Sequence, residues 1–392
     1  MRMRFGSVVA AATFVGVGLA GPASARSAVP SPAPICDGRW HRIESVNPAH
    51  DNGDYDSLVS VSVLSSTDAW AVGIVDDFSQ GGGYRTLTEH WDGARWSLVP
   101  SPNSTKTTWN QLSAVAAVAS DDVWTVGIEG FSPYGSLIEH WNGTSWTIQD
   151  DGTPDTYLTS VSALGPDDVW AAGSTNYVGN GLIMHWDGTA WTRTLIAGAI
   201  VFRGIVALAP NDIWAVGQQA HAGEGDFTVA AHFDGTTWTR YPTPNPLRIH
   251  DIDQNWLTSV TAVSSSDIWA TGIARDHDYG IFDRPFMVHW DGTRWTLSPT
   301  PDPGGRSEDT DLWSGAAFGG DDAWAVGSVG NEPDWTTFTV RWDGSSWTQL
   351  ASSTGGRFLA MAPDGSGGLW GVGDRSVSHP YIGTATLVQH LC

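Results

Sequence analysis

The sequence Asp68-Ala69-Trp70-Ala71-Val72-Gly73 is the first of seven copies of a D-x-W-x-x-G unit, and this repeat is the main indication of the fold. Five further copies begin at Asp122, Asp168, Asp212, Asp267 and Asp322, and a degenerate seventh begins at Gly368. Successive copies begin 44 to 55 residues apart. A nearly constant spacing of this size indicates a chain built from one supersecondary unit repeated many times.

A second unit follows each copy and supplies the rest of the repeat. Its first example is His90-Trp91-Asp92-Gly93-Ala94-Arg95-Trp96, and an alternating run such as Leu58–Val63 precedes each D-x-W unit. Alternation with period 2, interrupted by Asp-Gly and Asn-Gly turns, predicts four short strands per repeat, which we letter A to D in chain order. The sequence therefore predicts an all-β chain that forms a seven-bladed β-propeller of four-stranded blades.

One position of strand A, ten residues before the tryptophan of each D-x-W unit, holds only small residues. They are Ser60, Ala114, Ser160, Gly204, Ser259, Ser314 and Ala360. Seven strands that converge on one axis leave no room for large side chains, so this column predicts that strand A is the innermost strand.

The repeat is split between the two ends of the chain. Ile35–Trp40 matches the end of a repeat, and Leu387–Cys392 matches the part just before it. We therefore expect the N-terminus to supply strand D of the seventh blade and the C-terminus to supply strands A to C, which closes the ring. Cys36 and Cys392, the only two cysteines, then fall at one C-to-D turn, and in an exported protein they should form a disulfide.

Charge and targeting signals limit the function classes. The chain carries 19 Lys+Arg against 42 Asp+Glu, a formal charge of −23, and this excludes a basic face for nucleic acid. Residues 1–25 read as a signal peptide that ends in an A-x-A cleavage site. Residues 26–34 form a proline-rich spacer and residues 35–392 the propeller. We therefore predict a secreted, extracellular protein, monomeric and without membrane insertion after signal cleavage.

The repeat resembles known propeller families. The Trp-Asp dipeptide at the end of strand C is similar to that of WD repeats, although their Gly-His dipeptide is missing. The combination of D-x-W-A-V-G and H-W-D-G-x-x-W resembles tectonin-type and related secreted bacterial propellers over residues 35–392. This resemblance implies lectin-like binding of a glycan, and it transfers no catalytic residue.

The residues that recur in every blade are interpreted as structural. A histidine recurs beside a core tryptophan at His90, His140, His185, His232, His289 and His390. We expect these histidines to form structural hydrogen bonds and not to bind metal, and the Asp of D-x-W to act as an acceptor near the A-to-B turn.

Function is therefore sought where the repeat is broken, on the face that carries the B-to-C and D-to-A connections. Four tryptophans lie outside the repeat, at Trp109, Trp256, Trp313 and Trp335, and all fall on that face. Indole planes next to hydrogen-bonding groups suit sugars. The other ligand-binding candidates are Tyr157, Asp251, Asp253, His277 and Tyr279. In the alternative interpretation, the tryptophans only pack long loops against the ring.

Two other function classes stay open. A polysaccharide lyase or glycoside hydrolase could use the same face, with candidate residues His250, His277, His379, Tyr279, Tyr381, Arg203 and Arg357. A protein-interaction platform would also expose aromatic residues there. We predict no catalytic residue, no cofactor and no transition metal. Asp251-x-Asp253-x-Asn255 has the oxygen spacing that begins a calcium loop but lacks its later glycine and glutamate.

Overall fold

A computed structural model describes most of the chain after residue 36. The described ranges are 37–48, 55–76, 83–130, 134–149, 155–176, 179–221, 225–247, 253–276, 282–331, 333–351, 355–378 and 382–392. The chain divides into two units, Met1–Ser31 and Pro32–Cys392. The first unit lies outside the described ranges, and so do the predicted signal peptide and spacer.

Within these ranges the chain forms 28 β-strands in antiparallel groups of four. Blade 1 is β2 (Tyr55–Ser65), β3 (Asp68–Asp76), β4 (Tyr84–Trp91) and β5 (Trp96–Leu98). Blade 2 is β6 (Asn110–Ala119), β7 (Asp122–Glu129), β8 (Gly135–Trp141) and β9 (Trp146–Gln149). Blade 3 is β10 (Thr156–Gly165), β11 (Asp168–Thr175), β12 (Gly181–Trp186) and β13 (Trp191–Ile196). Blade 4 is β14 (Ile200–Ala209), β15 (Asp212–His221), β16 (Gly225–Phe233) and β17 (Trp238–Tyr241).

The remaining strands follow the same order. Blade 5 is β18 (Gln254–Ser264), β19 (Asp267–Asp276), β20 (Phe282–Trp290) and β21 (Trp295–Ser298). Blade 6 is β22 (Thr310–Gly319), β23 (Asp322–Val329), β24 (Thr336–Trp342) and β25 (Trp347–Gln349). Blade 7 is β26 (Arg357–Pro363), β27 (Leu369–Ser378), β28 (Ile382–Leu391) and β1 (Trp40–Ile43). The all-β prediction is confirmed, and 28 strands in groups of four fit seven blades.

The seventh blade combines strands from both ends of the described chain. β1 pairs antiparallel with β28, with Trp40 opposite Leu391. The Gly38 amide donates a hydrogen bond to the Cys392 carbonyl oxygen at 2.9 Å. Cys36 lies outside the described residues, so the Cys36–Cys392 disulfide stays a prediction.

Tryptophans from neighbouring blades pack together and form the inter-blade core. Trp70 of blade 1 has its ring centroid 5.2 Å from Trp141 and 5.3 Å from Trp146, both in blade 2. The pattern recurs around the molecule, for example where Trp370 of blade 7 contacts Trp91 and Trp96 of blade 1. Offset and edge-on aromatic pairs stabilise by about 0.5–1.5 kcal/mol each beyond their buried area. The repeated tryptophans therefore join each blade to the next.

The recurring histidines form hydrogen bonds with the recurring aspartates. His90 Nε2 lies 2.9 Å from Asp68 Oδ1, and His140, His185, His232 and His289 repeat this contact at 2.8–2.9 Å with the aspartate of their own blade. In blade 7, where Gly368 replaces that aspartate, Asp364 reaches His390 at 2.9 Å. In blade 6 an arginine replaces the histidine, and Arg341 Nε donates to Asp322 Oδ1 at 2.9 Å. The hydrogen bonds expected of both residue types are therefore present.

Candidate functional site

Each strand A contains an irregularity in its pairing with strand B. The irregularity falls at the residue just before the small residue of that strand, and we call the seven small residues, Ser60 to Ala360, the small column. In β22, for example, the register shifts between Leu312 and Ser314, so Trp313 has no partner on β23. A β-bulge of this kind turns a side chain away from the regular alternation of the strand. The seven bulge residues are Val59, Ser113, Thr159, Arg203, Thr258, Trp313 and Leu359.

All seven bulge residues line one central cavity of about 350 Å³. Six of the seven small-column residues line it as well, and the seventh is Gly204, which has no side chain. The small residues therefore surround the central cavity, which confirms the prediction that strand A is the innermost strand. The seven bulge residues form a ring around the cavity, which we call the bulge ring. In this ring Arg203 carries a charge and Trp313 an aromatic surface, and these two large side chains make the cavity asymmetric.

The serines of the small column also connect blades, which the sequence analysis did not predict. Ser60 Oγ accepts a hydrogen bond from the Val115 amide of the next blade at 3.1 Å. Ser160 does the same for Ile205 at 3.1 Å, and Ser314 for Met361 at 3.2 Å. These serines therefore hold adjacent strands A together at the wall of the cavity.

Three of the predicted site residues share a second register position, two residues before the bulge. In blades 3, 5, 6 and 7 this position is occupied by Tyr157, Trp256, Asp311 and Arg357. Tyr157 packs near Tyr134, with ring centroids 6.0 Å apart. Residues of very different chemistry therefore occupy equivalent positions in a fold that otherwise repeats.

Trp256 is covered by two arginines. Its side chain is 8% exposed, and the guanidinium carbons of Arg203 and Arg275 lie 5.9 and 5.3 Å from its ring centroid. Cation–π contacts of this kind stabilise the buried indole. Trp256 is thus a supporting element in this structure, and its contact with a ligand remains a prediction.

Trp335 is covered on one face by Arg357. The Arg357 guanidinium carbon lies 4.2 Å from the ring centroid. The same guanidinium binds both oxygens of Asp374, at 2.9 and 3.1 Å, and the Ser57 hydroxyl donates to Asp374 Oδ2 at 2.8 Å. Asp374 is 1% exposed, so this ion pair is fixed inside the ring.

Trp109 and Trp313 have different surroundings. Trp109 lies just before β6 and meets Tyr84 edge-on, with centroids 3.9 Å apart, so it packs within its loop. Trp313 is only partly buried and lines the cavity. Its Nε1 is covered and has no hydrogen-bond partner within the described part of the chain. Of the four predicted tryptophans, Trp313 is therefore the one that offers its ring to the cavity.

An acidic cluster lies in blades 5 and 6, outside the set of residues that line the cavity. Arg275 binds both oxygens of Asp283 at 2.6 Å, and the Asp283 amide donates to Asp309 Oδ1 at 2.8 Å. Burial, together with the charges of Asp283 and Asp309, raises the pKa of Asp311 to about 7, although Arg275 and Arg357 act to lower it. Asp311 therefore titrates near neutral pH.

Several predicted residues lie outside the described ranges, and others form hydrogen bonds within the fold. Asp251, His277 and Tyr279 lie outside them, as do His250, His379 and Tyr381. Asp253 is 2% exposed, and its carbonyl accepts the Asp226 amide at 3.0 Å. The Asn255 side-chain oxygen, a candidate calcium ligand, accepts the Leu247 amide at 3.2 Å. Calcium binding stays a prediction.

The described residues contain no group of three or more His, Cys, Asp or Glu side chains arranged to hold a metal ion. No helix among them is long and apolar enough to cross a membrane.

The sequence analysis missed two features of the site. It did not find the bulges, although the column that contains them changes chemistry from blade to blade while the next column stays small. It also did not find the Arg275–Asp283 pair, which joins opposed residues of β19 and β20. An Arg and an Asp at facing positions of two predicted strands would have been the available signal.

Comparisons with known proteins identify the fold. No protein-family model matches the sequence, and a search of curated proteins found no match. Similar solved structures include YCF48 bound to D1 peptide, with TM-score 0.55, 15% identity, and coverage of 93% of this chain and 100% of that one. A polysaccharide lyase PL25 ulvan lyase bound to -[GlcA(1-4)Rha3S]- has TM-score 0.57 and 7% identity, and the match covers 89% and 95% of the two chains. The GH74 xyloglucanase from Xanthomonas campestris has TM-score 0.55 and 12% identity, with coverage of 88% and 55%.

At these identities the likeness establishes a β-propeller fold and no activity. The neighbours include proteins that act on polysaccharides and one that is bound to a peptide.

Proposed function

We propose that this chain is an exported, non-catalytic binding protein that takes a carbohydrate at the central cavity, on the face of the B-to-C and D-to-A connections. The observation that carries the proposal is the asymmetric ring of bulge residues. Five members are small, hydroxylic or aliphatic, while Arg203 and Trp313 supply a guanidinium and an indole. A concave site with an aromatic surface and a few polar groups is suited to a small ligand.

The chemistry of a sugar fits this ring. The C–H face of a pyranose packs on an indole, and its hydroxyls need donors and acceptors around the edge. The wall of the cavity includes Ser113 and Gln111, and Asp311 lies two residues before Trp313. A cavity of about 350 Å³ falls in the lower part of the range of small-molecule sites and suits one or two sugar residues.

Two of the solved structures named above support a carbohydrate ligand. The ulvan lyase is bound to an oligosaccharide, and the xyloglucanase is named for a polysaccharide. Export through the signal peptide 1–25, a Cys36–Cys392 disulfide and a monomeric state belong to the same proposal, because extracellular glycans are the ligands such a protein meets.

The test is a pair of matched alanine substitutions in the bulge ring. Trp313→Ala removes the indole, whereas Leu359→Ala removes an aliphatic side chain from the same ring position in the next blade. We expect Trp313→Ala to weaken glycan binding at least tenfold, a change of about 1.4 kcal/mol, while Leu359→Ala retains most of it. A glycan array followed by titration calorimetry measures both variants, and their melting temperatures identify any loss due to unfolding.

Equal loss in both variants would place the ligand elsewhere. Absence of binding by the wild-type protein to every glycan on the array would refute the proposal.

A second candidate function, glycoside cleavage, is favoured by one observation. Asp311 has a pKa of about 7 and is close enough to Asp283 and Asp309 for their charges to raise it. Carboxyl groups with separated pKa values are the usual acid and base of glycosidases. Release of reducing sugar from a polysaccharide, lost in Asp311→Asn, would establish catalysis, and no release from any bound glycan favours binding alone.

A further inference from the structure

Strand A of blades 1 to 6 contains a second irregularity in its pairing with strand B, just before the A-to-B turn. In β22 the register shifts again between Ala317 and Gly319, so Phe318 has no partner on β23. The residue at this position lies four places after the small column and is aliphatic or aromatic in all six blades. The six residues, which we call the apolar ring, are Leu64, Val118, Leu164, Leu208, Val263 and Phe318.

The apolar ring is open to solvent. Leu164, Val263 and Phe318 are 37%, 38% and 39% exposed, and the other three members are partly buried. Neighbouring strands A stay joined close to these residues, because Ser62 Oγ accepts the Ala117 amide of the next blade at 3.0 Å. Single exposed apolar residues need no explanation, whereas a contiguous set of them marks an interaction surface.

Blade 7 interrupts the apolar ring with Asp364. This residue is 4% exposed, and its carboxylate accepts the Gly368 amide through Oδ1 and contacts His390 through Oδ2, both at 2.9 Å. It is therefore engaged in the fold and adds no exposed charge. A cavity of about 420 Å³ lies beside it and is lined by residues 61–64 and 362–365. The apolar ring thus has one concave position, between blades 7 and 1.

Exposed aspartates, which we call the acidic rim, surround the apolar ring. The two kinds of turn that carry them lie together on one face, since Gly188 and Gly344 of C-to-D turns abut Asp167 and Asp321 of A-to-B turns. Six of the seven C-to-D turns contribute, with Asp37, Asp92, Asp187, Asp234, Asp291 and Asp343. Three A-to-B turns contribute Asp121, Asp167 and Asp321.

The charge of the acidic rim is little compensated by cations. Hydrogen bonds from a threonine hydroxyl and from two main-chain amides of the turn lower the pKa of Asp187 and of Asp291 to about 2, so these carboxylates are ionised at physiological pH. Within the described ranges the arginines of the same turns are Arg39, Arg95 and Arg294, and the carboxylates outnumber them. The apolar ring therefore lies inside a negative rim.

We propose that the apolar ring and the acidic rim form a docking surface for a basic segment of a partner protein, in which an aliphatic or aromatic anchor lies between lysines or arginines. The anchor packs on the apolar ring and enters the cavity beside Leu64, and the flanking cations meet the carboxylates of the rim. An apolar anchor in a pocket supplies most of the affinity of such an interface, while complementary charge on the rim speeds association and selects the partner.

Charge complementarity favours this occupant over two others. A second copy of the chain would bring two acidic rims together, and an anionic membrane would meet the same repulsion. The inference also goes beyond the proposed function, because this surface lies on the face of the A-to-B and C-to-D turns, opposite to that of the proposed carbohydrate site. Its test requires no glycan.

The experiment begins with an unbiased probe. A phage-displayed library of random peptides is selected on the wild-type protein, and we expect the enriched peptides to combine a net positive charge with at least one Leu, Phe or Trp. One enriched peptide is then synthesised with a fluorescent label, and its affinity for each variant is measured by anisotropy. Melting temperatures identify any variant that loses binding by unfolding.

Matched variants locate the peptide. Phe318→Ser and Leu164→Ser should each weaken binding at least about fivefold, because each removes part of the apolar ring. Leu98→Ser is the apolar control, since Leu98 is 43% exposed on the outermost strand of blade 1 and should not affect binding. Asp321→Asn should weaken binding by about twofold, whereas Glu44→Gln, in the D-to-A connection, should leave it unchanged.

Four results would overturn the proposal. The first is a selection that enriches no peptide, or only neutral or acidic ones. The second is equal loss in Phe318→Ser and Leu98→Ser, or loss in Trp313→Ala without loss in Phe318→Ser, which would place the peptide in the central cavity. The third is a wild-type dimer in sedimentation velocity that Phe318→Ser dissociates, which would make the surface a self-interface. The fourth is flotation with phosphatidylglycerol vesicles that Phe318→Ser abolishes, which would assign the surface to a membrane.

Discussion

Glu89 and Glu139 lie in the inter-blade core, where each side chain is 0% exposed. They occupy strand C of blades 1 and 2, at the position that Met184 and Val288 fill in blades 3 and 5. Burial raises the pKa of both carboxyl groups to about 8. At acidic to neutral pH the two side chains are therefore mainly protonated, which is the form that a buried site tolerates.

The pH dependence of stability follows from the sign of these shifts. Because the pKa of Glu139 is higher in the folded than in the unfolded state, this carboxyl group costs no stability below about pH 4.5, and its ionisation lowers the free energy of unfolding progressively as the pH rises from there to about 8. Glu139→Gln removes the ionisation, so the variant should be more stable than wild type at pH 8, by on the order of 2 kcal/mol, and similar to it at pH 5. Urea unfolding at the two pH values measures the difference.

The exposed Glu44 provides the control, because Glu44→Gln removes a charge from the surface and not from a buried site. A stability gain for Glu139→Gln that is the same at both pH values would contradict the explanation.

At this scale the sequence singles out the tryptophans outside the repeat but does not reveal how their surroundings differ. Trp256 and Trp313 are both tryptophans outside the repeat, and the sequence treats them alike. They differ because Arg203 and Arg275, from two blades, converge on Trp256, while a bulge turns Trp313 into the cavity. Such contacts join different blades, so they form only when the blades pack together. The residues next to each tryptophan along the chain do not reveal them.

At the scale of elements, a short motif ties the D-to-A connection to strand C in three blades. The motif is a hydroxyl residue followed two positions later by asparagine. Asn47, Asn103 and Asn245 each accept a hydrogen bond from a main-chain amide of strand C, at 2.7, 3.0 and 2.8 Å respectively. The hydroxyl residue pairs with a threonine of the same strand, as Ser101 does with Thr86 at 2.8 Å. The motif fixes where each connection leaves its blade.

Removal of this acceptor should destabilise the blade. Asn103→Ala leaves the Thr86 amide without its partner, and we expect the free energy of unfolding to fall by about 1 kcal/mol. Asn103→Asp keeps an oxygen acceptor in the same place and should lose less. Chemical denaturation of the three proteins checks this order, and an alanine variant as stable as wild type would show that water replaces the side chain at no cost.

The regular strands could be predicted because alternation and Asp-Gly turns are local signals. In these turns the aspartate side chain caps the next amides, as Asp187 does for Thr189 and Ala190 at 2.9 Å. The hydrogen bond from the Thr189 hydroxyl, together with these two amides, lowers the pKa of Asp187 to about 2. The bulges and the asparagine motif could not be predicted so easily. One extra residue in a strand of ten hardly alters the alternation of apolar and polar side chains, so a bulge leaves little trace in the sequence. The hydrogen-bond partners of an asparagine depend on the path of the loop that carries it.

For the whole molecule, the seventh blade depends on a short N-terminal strand. β1 has four residues, yet Trp40 donates from Nε1 to Thr339 Oγ1 of blade 6 at 3.1 Å and packs on Phe358 at 4.7 Å. Strand pairing, an aromatic contact and a hydrogen bond to the neighbouring blade all hold this strand in place. Non-covalent contacts therefore join the first and last strands of the described chain.

Non-reducing peptide mapping of the protein should recover Cys36 and Cys392 in one linked peptide. Reduction should lower the melting temperature but leave a folded protein, because the β1–β28 pairing remains; the loss should be about 2–4 kcal/mol. Two thiols that react with an alkylating agent before reduction would show that the bond is absent.

The bulges have a consequence for engineering. A bulge residue has no partner on the neighbouring strand, so its side chain can be exchanged without altering the strand pairing on either side. Thr159 and Thr258 nevertheless bind main-chain carbonyls of the next blade, and Arg203 lies over Trp256. The other four bulge positions, Val59, Ser113, Trp313 and Leu359, line the same cavity. A combinatorial library at those four codons would sample many cavity chemistries on a constant scaffold, from which binders for molecules unrelated to the natural ligand could be selected.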